Sequence, residues 1–214
     1  MKKLTIVMSL MAMLLSACGN KANASVAEAS DNPETETATA KTDGGKVLVV
    51  YFSHAGDNYS VGNIKVGNTK KIADLIAEKT GADEFEVVAE KSYDMAYTPL
   101  TELAKKEQQE GELPAFKGEV ANIDQYTTVF IGGPVWWGTY PQVMFTFFSK
   151  YDLNGKTLIP FTTHEGSGLG SCAKDVEKAF PNATVKDGLA VRGTDAQSGA
   201  ANERVEKWLK ELGF

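Results

Sequence analysis

Residues 47–52 read Val-Leu-Val-Val-Tyr-Phe, six consecutive apolar residues rich in β-branched and aromatic types. A strand with one wet face alternates apolar and polar residues. An unbroken run of this length suits a strand buried on both faces, as in a parallel sheet covered by helices. The next periodic stretch is helical. Asn68 or Thr69 stands where a cap is needed, Ile72, Leu75 and Ile76 form a 3/4-spaced stripe with Ala73 and Ala77 beside it, and Gly81 is placed as the stop.

The same alternation continues along the chain. Phe85 to Val88 reads as a second strand, and Thr98-Pro99 opens a polar helix that ends near Gly111. Thr128 to Ile131 is a third strand. Pro141 suits the first turn of a helix that buries Val143, Met144, Phe147 and Phe148. Thr157 to Thr162 is a fourth strand, Leu169 to Phe180 an amphipathic helix, and Thr184 to Val191 holds a fifth strand. Asn202 to Leu212 closes with Val205, Trp208, Leu209 and Leu212 on one face. Strands alternating with helices predict an α/β domain with a doubly wound parallel sheet over residues 46–214. In such a sheet ligands gather beyond the C-terminal strand ends, where the strand order reverses.

Upstream of residue 46 the texture differs. Lys2 and Lys3 precede an apolar run from Leu4 to Leu15, too short for a membrane span of about 20 residues and suited to a signal peptide over residues 1–17. Leu15-Ser16-Ala17-Cys18 resembles a bacterial lipobox, which implies lipidation of Cys18 and an exported, membrane-anchored protein. Ordinary cleavage near Ala22-Asn23-Ala24 is the alternative. Gly19 to Gly45 holds one Val and no Leu, Ile, Met or aromatic residue. Residues 18–45 therefore read as a solvated tether spanning roughly 30 Å.

The whole chain has 214 residues, a net charge of −6 and two cysteines, Cys18 and Cys172. The acidity argues against nucleic acid as a partner. The cysteine count excludes a disulfide scaffold, and Cys172 reads as a small core residue.

Three loops fall where the fold rule places a ligand. After strand one, Ser53-His54-Ala55-Gly56 leads through a polar stretch to Asn68-Thr69 at a helix start, which suits an anion. After strand three comes Gly132-Gly133-Pro134-Val135-Trp136-Trp137-Gly138-Thr139-Tyr140-Pro141. Its adjacent tryptophans cannot both face the core, so one is free to stack on a flat ligand. After strand four, Thr163-His164-Glu165-Gly166-Ser167-Gly168 lets backbone approach the polar edge of a ring. Taken singly, these are also a capped helix, an edge-covering tryptophan and a flexible connection. No Walker motif or dinucleotide fingerprint occurs.

The segments VVYFS, GNTKKIADLIAEKTGAD, VFIGGPVWWGTYP and YDLNGKTLIPFTTHEGSGLGS resemble the flavodoxin family over nearly all of residues 46–214. The resemblance implies a five-stranded 2-1-3-4-5 sheet that binds flavin mononucleotide (FMN) noncovalently. It implies cofactor contacts from Ser53, His54, Ala55, Gly56, Asn68, Thr69, Pro134, Val135, Trp136, Trp137, Gly138, Thr139, Thr163, His164, Glu165, Gly166, Ser167 and Gly168. No catalytic side chain and no metal are expected. The expected role is electron transfer with redox proteins or small acceptors. Alternatives are an FMN-dependent NAD(P)H:quinone or flavin reductase, and a scaffold that has lost FMN. One departure stands out: Asp57 to Val66 interrupts the family's phosphate loop, and either covers the cofactor, offers Lys65 to its phosphate, or spoils the site.

Overall fold

The computed structural model describes residues 45–214, so the signal peptide, Cys18 and nearly all of the tether lie outside the described residues. The strands are β1 (Lys46–Tyr51), β2 (Gly56–Asn58), β3 (Gly62–Ile64), β4 (Asp83–Glu86), β5 (Val88–Ala89), β6 (Phe116–Lys117), β7 (Tyr126–Pro134), β8 (Thr157–His164), β9 (Thr184–Val185) and β10 (Leu189–Arg192). The helices are α1 (Asn68–Thr80), α2 (Tyr97–Glu110), α3 (Gln142–Lys150), α4 (Cys172–Ala179), α5 (Gly193–Ser198) and α6 (Asn202–Leu212). Among the described residues, no helix is long and apolar enough to cross a membrane.

The central sheet is parallel and ordered β10-β8-β7-β1-β4, with β9 beside β8. Counting only the long strands, this is the expected 2-1-3-4-5 order. The residues of β1 alternate between two cores, as a two-residue period requires. Leu48 and Val50 join Val129, Ile131, Val143, Met144 and Phe147 on the α2–α3–α4 side. Val49 and Tyr51 join Ile72, Ile76, Val205 and Leu209 on the α1–α5–α6 side.

Four local features depart from the sequence reading: the second strand runs over Asp83–Glu86, leaving Val88 to pair with Lys117 in a separate two-stranded sheet, and three more follow. First, the fifth strand is split: β9 pairs with Thr157 and Leu158, β10 with Phe161 to His164. Three edge residues, Lys186 to Gly188, oppose the two residues Ile159 and Pro160. Pro160 has no N–H to donate, and the extra residue is absorbed there as a bulge. Second, Asn68 and Thr69 do not cap α1. The N-cap is Gly67 without a side-chain bond, and Ser53 Oγ accepts from Lys70 N at 2.9 Å, capping the helix from 17 residues upstream. Third, the Asp57–Val66 stretch folds largely as an antiparallel hairpin, β2 with β3.

Candidate functional site

The three loops meet at the C-terminal edge of β1, β7 and β8. The first contributes the base of the hairpin and the start of α1. A Cβ on Gly67 would lie 2.2 Å from Ser53 Oγ and 2.7 Å from the His54 carbonyl oxygen. The chain therefore returns to its own starting point before α1 begins, and the hairpin is an excursion from a closed base. Its inner strand is tied down locally: Asn58 Nδ2 donates to the Gly56 carbonyl at 3.0 Å. It is also tied to α2, because Asp57 Oδ2 accepts from Tyr97 N at 3.0 Å and the Tyr59 and Tyr97 rings lie 5.8 Å apart.

The second loop turns tightly. Trp136 N donates to the Thr139 carbonyl at 2.8 Å, and the two residues between, Trp137 and Gly138, have φ of +52° and +89°. Positive φ at both central positions is the mirrored turn that glycine eases and tryptophan rarely adopts. The indoles diverge. Trp137 is half exposed, donates from Nε1 to the Thr101 carbonyl at 2.8 Å, and has Lys105 Nζ 4.9 Å from its ring centroid. Trp136 turns inward and meets Phe52, His54 and Tyr93 edge-on, with centroids 5.4, 6.0 and 5.4 Å away.

The third loop is braced against the second. Ser171 N donates to the Gly138 carbonyl at 2.7 Å, and a Cβ on Gly170 would sit 2.3 Å from that same oxygen. Only glycine allows this approach. Gly166 N donates to His164 Nδ1 at 2.8 Å, and Thr194 N donates to Glu165 Oε1 at 3.2 Å.

Between the loops is a cleft of about 280 Å³. Eight of the residues read from the sequence border it: Asn68, Pro134, Val135, Trp136, Thr163, His164, Glu165 and Ser167. The others sit elsewhere. Ser53, Ala55 and Gly56 line a separate cleft on the far side of the β1–α1 connection. Thr69 is buried, with its hydroxyl bonded to Thr163 Oγ1 at 2.8 Å. The Thr139 hydroxyl is likewise engaged, by Asp175. Gly138, Gly166 and Gly168 shape their loops, while Trp137 and His54 border an adjoining cavity. Lys65 is exposed and borders neither.

Asn58 and Tyr59, from the stretch whose role the sequence left open, and Tyr97, which sequence reasoning missed, complete the cleft wall. The signal for the first two was present, since Asp57-Asn58 and Gly62-Asn63 are turn and hairpin residues. Tyr97 is brought in only by the packing of α2. The 57–66 stretch therefore forms a wall of the cleft.

Two features test whether these residues suit a phosphorylated aromatic ligand. The backbone N–H groups of Asn68 and Thr69, in the first turn of α1, have no partner among the described residues, as expected at a helix start. That of Asn68, which borders the cleft, leaves a donor for an anion, aided by the helix dipole. Trp136, half-buried and held by three edge contacts, gives the cleft a fixed aromatic wall. The site's histidines are both held below the usual imidazole range. His54 is lowered chiefly by burial, against the pull of the Asp57 carbonyl and of Asp94. His164 is lowered by burial and then by Arg192. Cys172, at the start of α4, is buried, and burial pushes its thiol up to about 12, which keeps it unreactive.

The sequence model of the flavodoxin family matches residues 46–212. Among solved structures, a flavoprotein from Bacteroides uniformis is similar at 29% identity and a TM-score of 0.64, covering 78% of this chain and 99% of that one. A flavoprotein from Bacteroides eggerthii is similar at 28% identity and a TM-score of 0.58, covering 72% and 95%. A Lactobacillus acidophilus flavoprotein in complex with FMN shares the fold at 20% identity and a TM-score of 0.54, covering 73% and 97%. No curated protein matches the chain.

Proposed function

This chain belongs to the flavodoxin family, and from that premise we propose that it holds FMN noncovalently in the cleft and serves as an electron carrier on the outer face of a bacterial membrane. The observation that carries the reading is the meeting, on one cleft, of the α1 start at Asn68, the Trp136 wall and the His164–Ser167 loop. A phosphate, a flat ring and a polar ring edge each find a matching surface there. The likeness to flavoproteins, one of them in complex with FMN, supports it.

Bound FMN supplies reversible one- and two-electron chemistry. The chain's own residues do the rest. The N–H group of Asn68 would hold the phosphate in place of a cation. Trp136 would offer its ring to the flavin, and the loop through Glu165 and Ser167 would meet the polar edge. Glu165 sets a negative charge beside the cleft, and residues 46–214 carry 23 acidic against 18 basic side chains. That field disfavours further negative charge and so lowers the potential of a bound carrier. The lipid anchor rests on Leu15-Ser16-Ala17-Cys18 and the tether beyond it.

Titrating the purified chain with FMN, followed by flavin absorbance and fluorescence, tests the reading; no binding would overturn it. Stopped-flow mixing of the loaded protein with NAD(P)H separates carrier from reductase, because a carrier is inert to it. Intact-mass analysis of the membrane fraction tests the anchor; an unmodified Cys18 would remove it.

A further inference from the structure

The tryptophan turn holds a strained residue. Among the described residues three other than glycine have positive φ, and Trp137, at +52°, is the only aromatic one. A bulky side chain keeps the left-handed conformation only where its surroundings over-determine it. Two helices do so here. On the α2 side, Trp137 Nε1 donates to the Thr101 carbonyl at 2.8 Å, and Gln108 Nε2 donates to the Trp137 carbonyl at 3.1 Å. On the α4 side, Ser171 N donates to the Gly138 carbonyl at 2.7 Å, and the Thr139 hydroxyl donates to Asp175 Oδ2 at 2.5 Å.

Asp175 is the unusual member of this set. It stands in the first turn of α4, where a carboxylate ordinarily serves the helix's own N–H groups. Among the described residues it accepts instead from two hydroxyls on the same oxygen, that of Thr139 and that of Ser171 at 2.6 Å, and pairs with no Lys or Arg. The side chain is half-buried, and bonds to a carboxylate shielded from water are stronger than neutral ones. Thr139 is buried and closes the turn, accepting from Trp136 N at 2.8 Å and donating to the Trp136 carbonyl at 3.3 Å. A restraint on Thr139 is therefore passed directly to Trp136, whose ring walls the cleft.

We propose that Asp175 is a positioning residue of the cleft: from α4 it holds the tryptophan turn in its positive-φ form and so fixes the Trp136 wall before a ligand enters. A wall set in advance spares the ligand the cost of ordering it. That the ligand is a flavin rests on the reading above; the clamp does not.

The test is fluorine NMR of the full chain labelled with 5-fluorotryptophan, read without FMN and beside an FMN titration. The chain has three tryptophans, and Trp208, in the opposite core, is the internal control. Asp175→Ala is expected to move or broaden the Trp136 and Trp137 resonances, leave Trp208 in place and weaken FMN about tenfold, the size of one lost bond to a charged group. Asp175→Asn, whose amide oxygen can accept both hydroxyls, should keep the resonances and the affinity. Thr139→Val breaks the same bond from the other side and should reproduce the shifts, which keeps the test decisive if the alanine variant does not fold. In a Trp137→Gly background the turn is free of strain, so Asp175→Ala should no longer disturb Trp136 or FMN affinity. Unmoved Trp136 and Trp137 resonances in both Asp175→Ala and Thr139→Val overturn the proposal. So do shifts that include Trp208, an equal loss in Asp175→Asn, or an undiminished effect in the glycine background. A chain that binds no FMN, yet shows the Trp136 shift in Asp175→Ala and its rescue by asparagine, removes the flavin reading and leaves the clamp.

Discussion

Gly67→Ala is the sharpest probe of how the hairpin is joined to the sheet. Gly67 has φ −62° and ψ 150°, a conformation open to any residue. On backbone entropy alone, alanine would stabilise the fold by about 0.4–1 kcal/mol. The structure reverses that sign. The new Cβ would lie 2.2 Å from Ser53 Oγ and 2.7 Å from the His54 carbonyl oxygen. Ser53 can rotate away, but it then gives up its bond to Lys70 N, a capping interaction of about 1 kcal/mol. The His54 carbonyl is backbone and cannot rotate away, so the loop must shift, which adds about 1–3 kcal/mol of overpacking strain. The expected net loss is about 2–3 kcal/mol in urea denaturation. Ser53→Ala alone should cost about 1 kcal/mol. The double variant should cost less than the sum, because removing Oγ relieves the closer of the two clashes. FMN affinity should fall with Gly67→Ala, since the N–H donors of α1 move with the loop. A neutral or stabilising Gly67→Ala would show that the hairpin base is not closed in this way.

Trp136→Ala should weaken FMN by about 1–3 kcal/mol if its ring stacks on the flavin, by analogy with base–aromatic stacking; Trp137→Ala should have the smaller effect, and the reverse order in a fluorescence titration would reassign the stacking ring. Glu107 on α2 is buried, ion-paired with Lys91 at 2.6 Å and bonded by the Tyr93 hydroxyl at 3.0 Å. Lys91→Met strands that carboxylate and should destabilise by about 3 kcal/mol, whereas equal stability in denaturant would mean that water replaces the lysine. His54 and His164 are depressed in the fold, so the folded state binds fewer protons than the unfolded chain. Their stabilisation is present above about pH 6.5 and is lost as pH falls below it. Glu84 and Glu86, raised by burial, act in the opposite sense at lower pH. The melting temperature should therefore drop between about pH 7.5 and 5.5, and His54→Gln should flatten part of that drop; an unchanged slope would refute the assignment.

The layers were legible in local pattern alone. An apolar run such as Val47–Phe52 is the same whatever lies beside it, and the stripes of α1, α3 and α6 bury the residues their spacing marks, Val143, Met144, Phe147, Phe148, Val205, Trp208 and Leu209 among them. These are local periodicities, and burial is their direct consequence. The cleft's position followed from strand order, and the eight bordering residues read from the sequence lie at the C-terminal ends of β7 and β8, in the loops that follow them, or at the start of α1.

Whatever depends on two distant segments meeting was set by the fold. Ser53 caps α1 from another element, and the side chains of Asn68 and Thr69, which look like caps, bond instead to Gln197 and Thr163. Trp136 and Trp137 are adjacent and chemically identical, yet a turn with positive φ sends one indole inward and the other onto Thr101. Asp57 to Val66 reads as an interruption until it folds back on its base and leans on Tyr97. Local sequence carries propensity and period. It does not carry the three-dimensional distance between residues 53 and 70, or 57 and 97, and that distance assigns each polar group its partner.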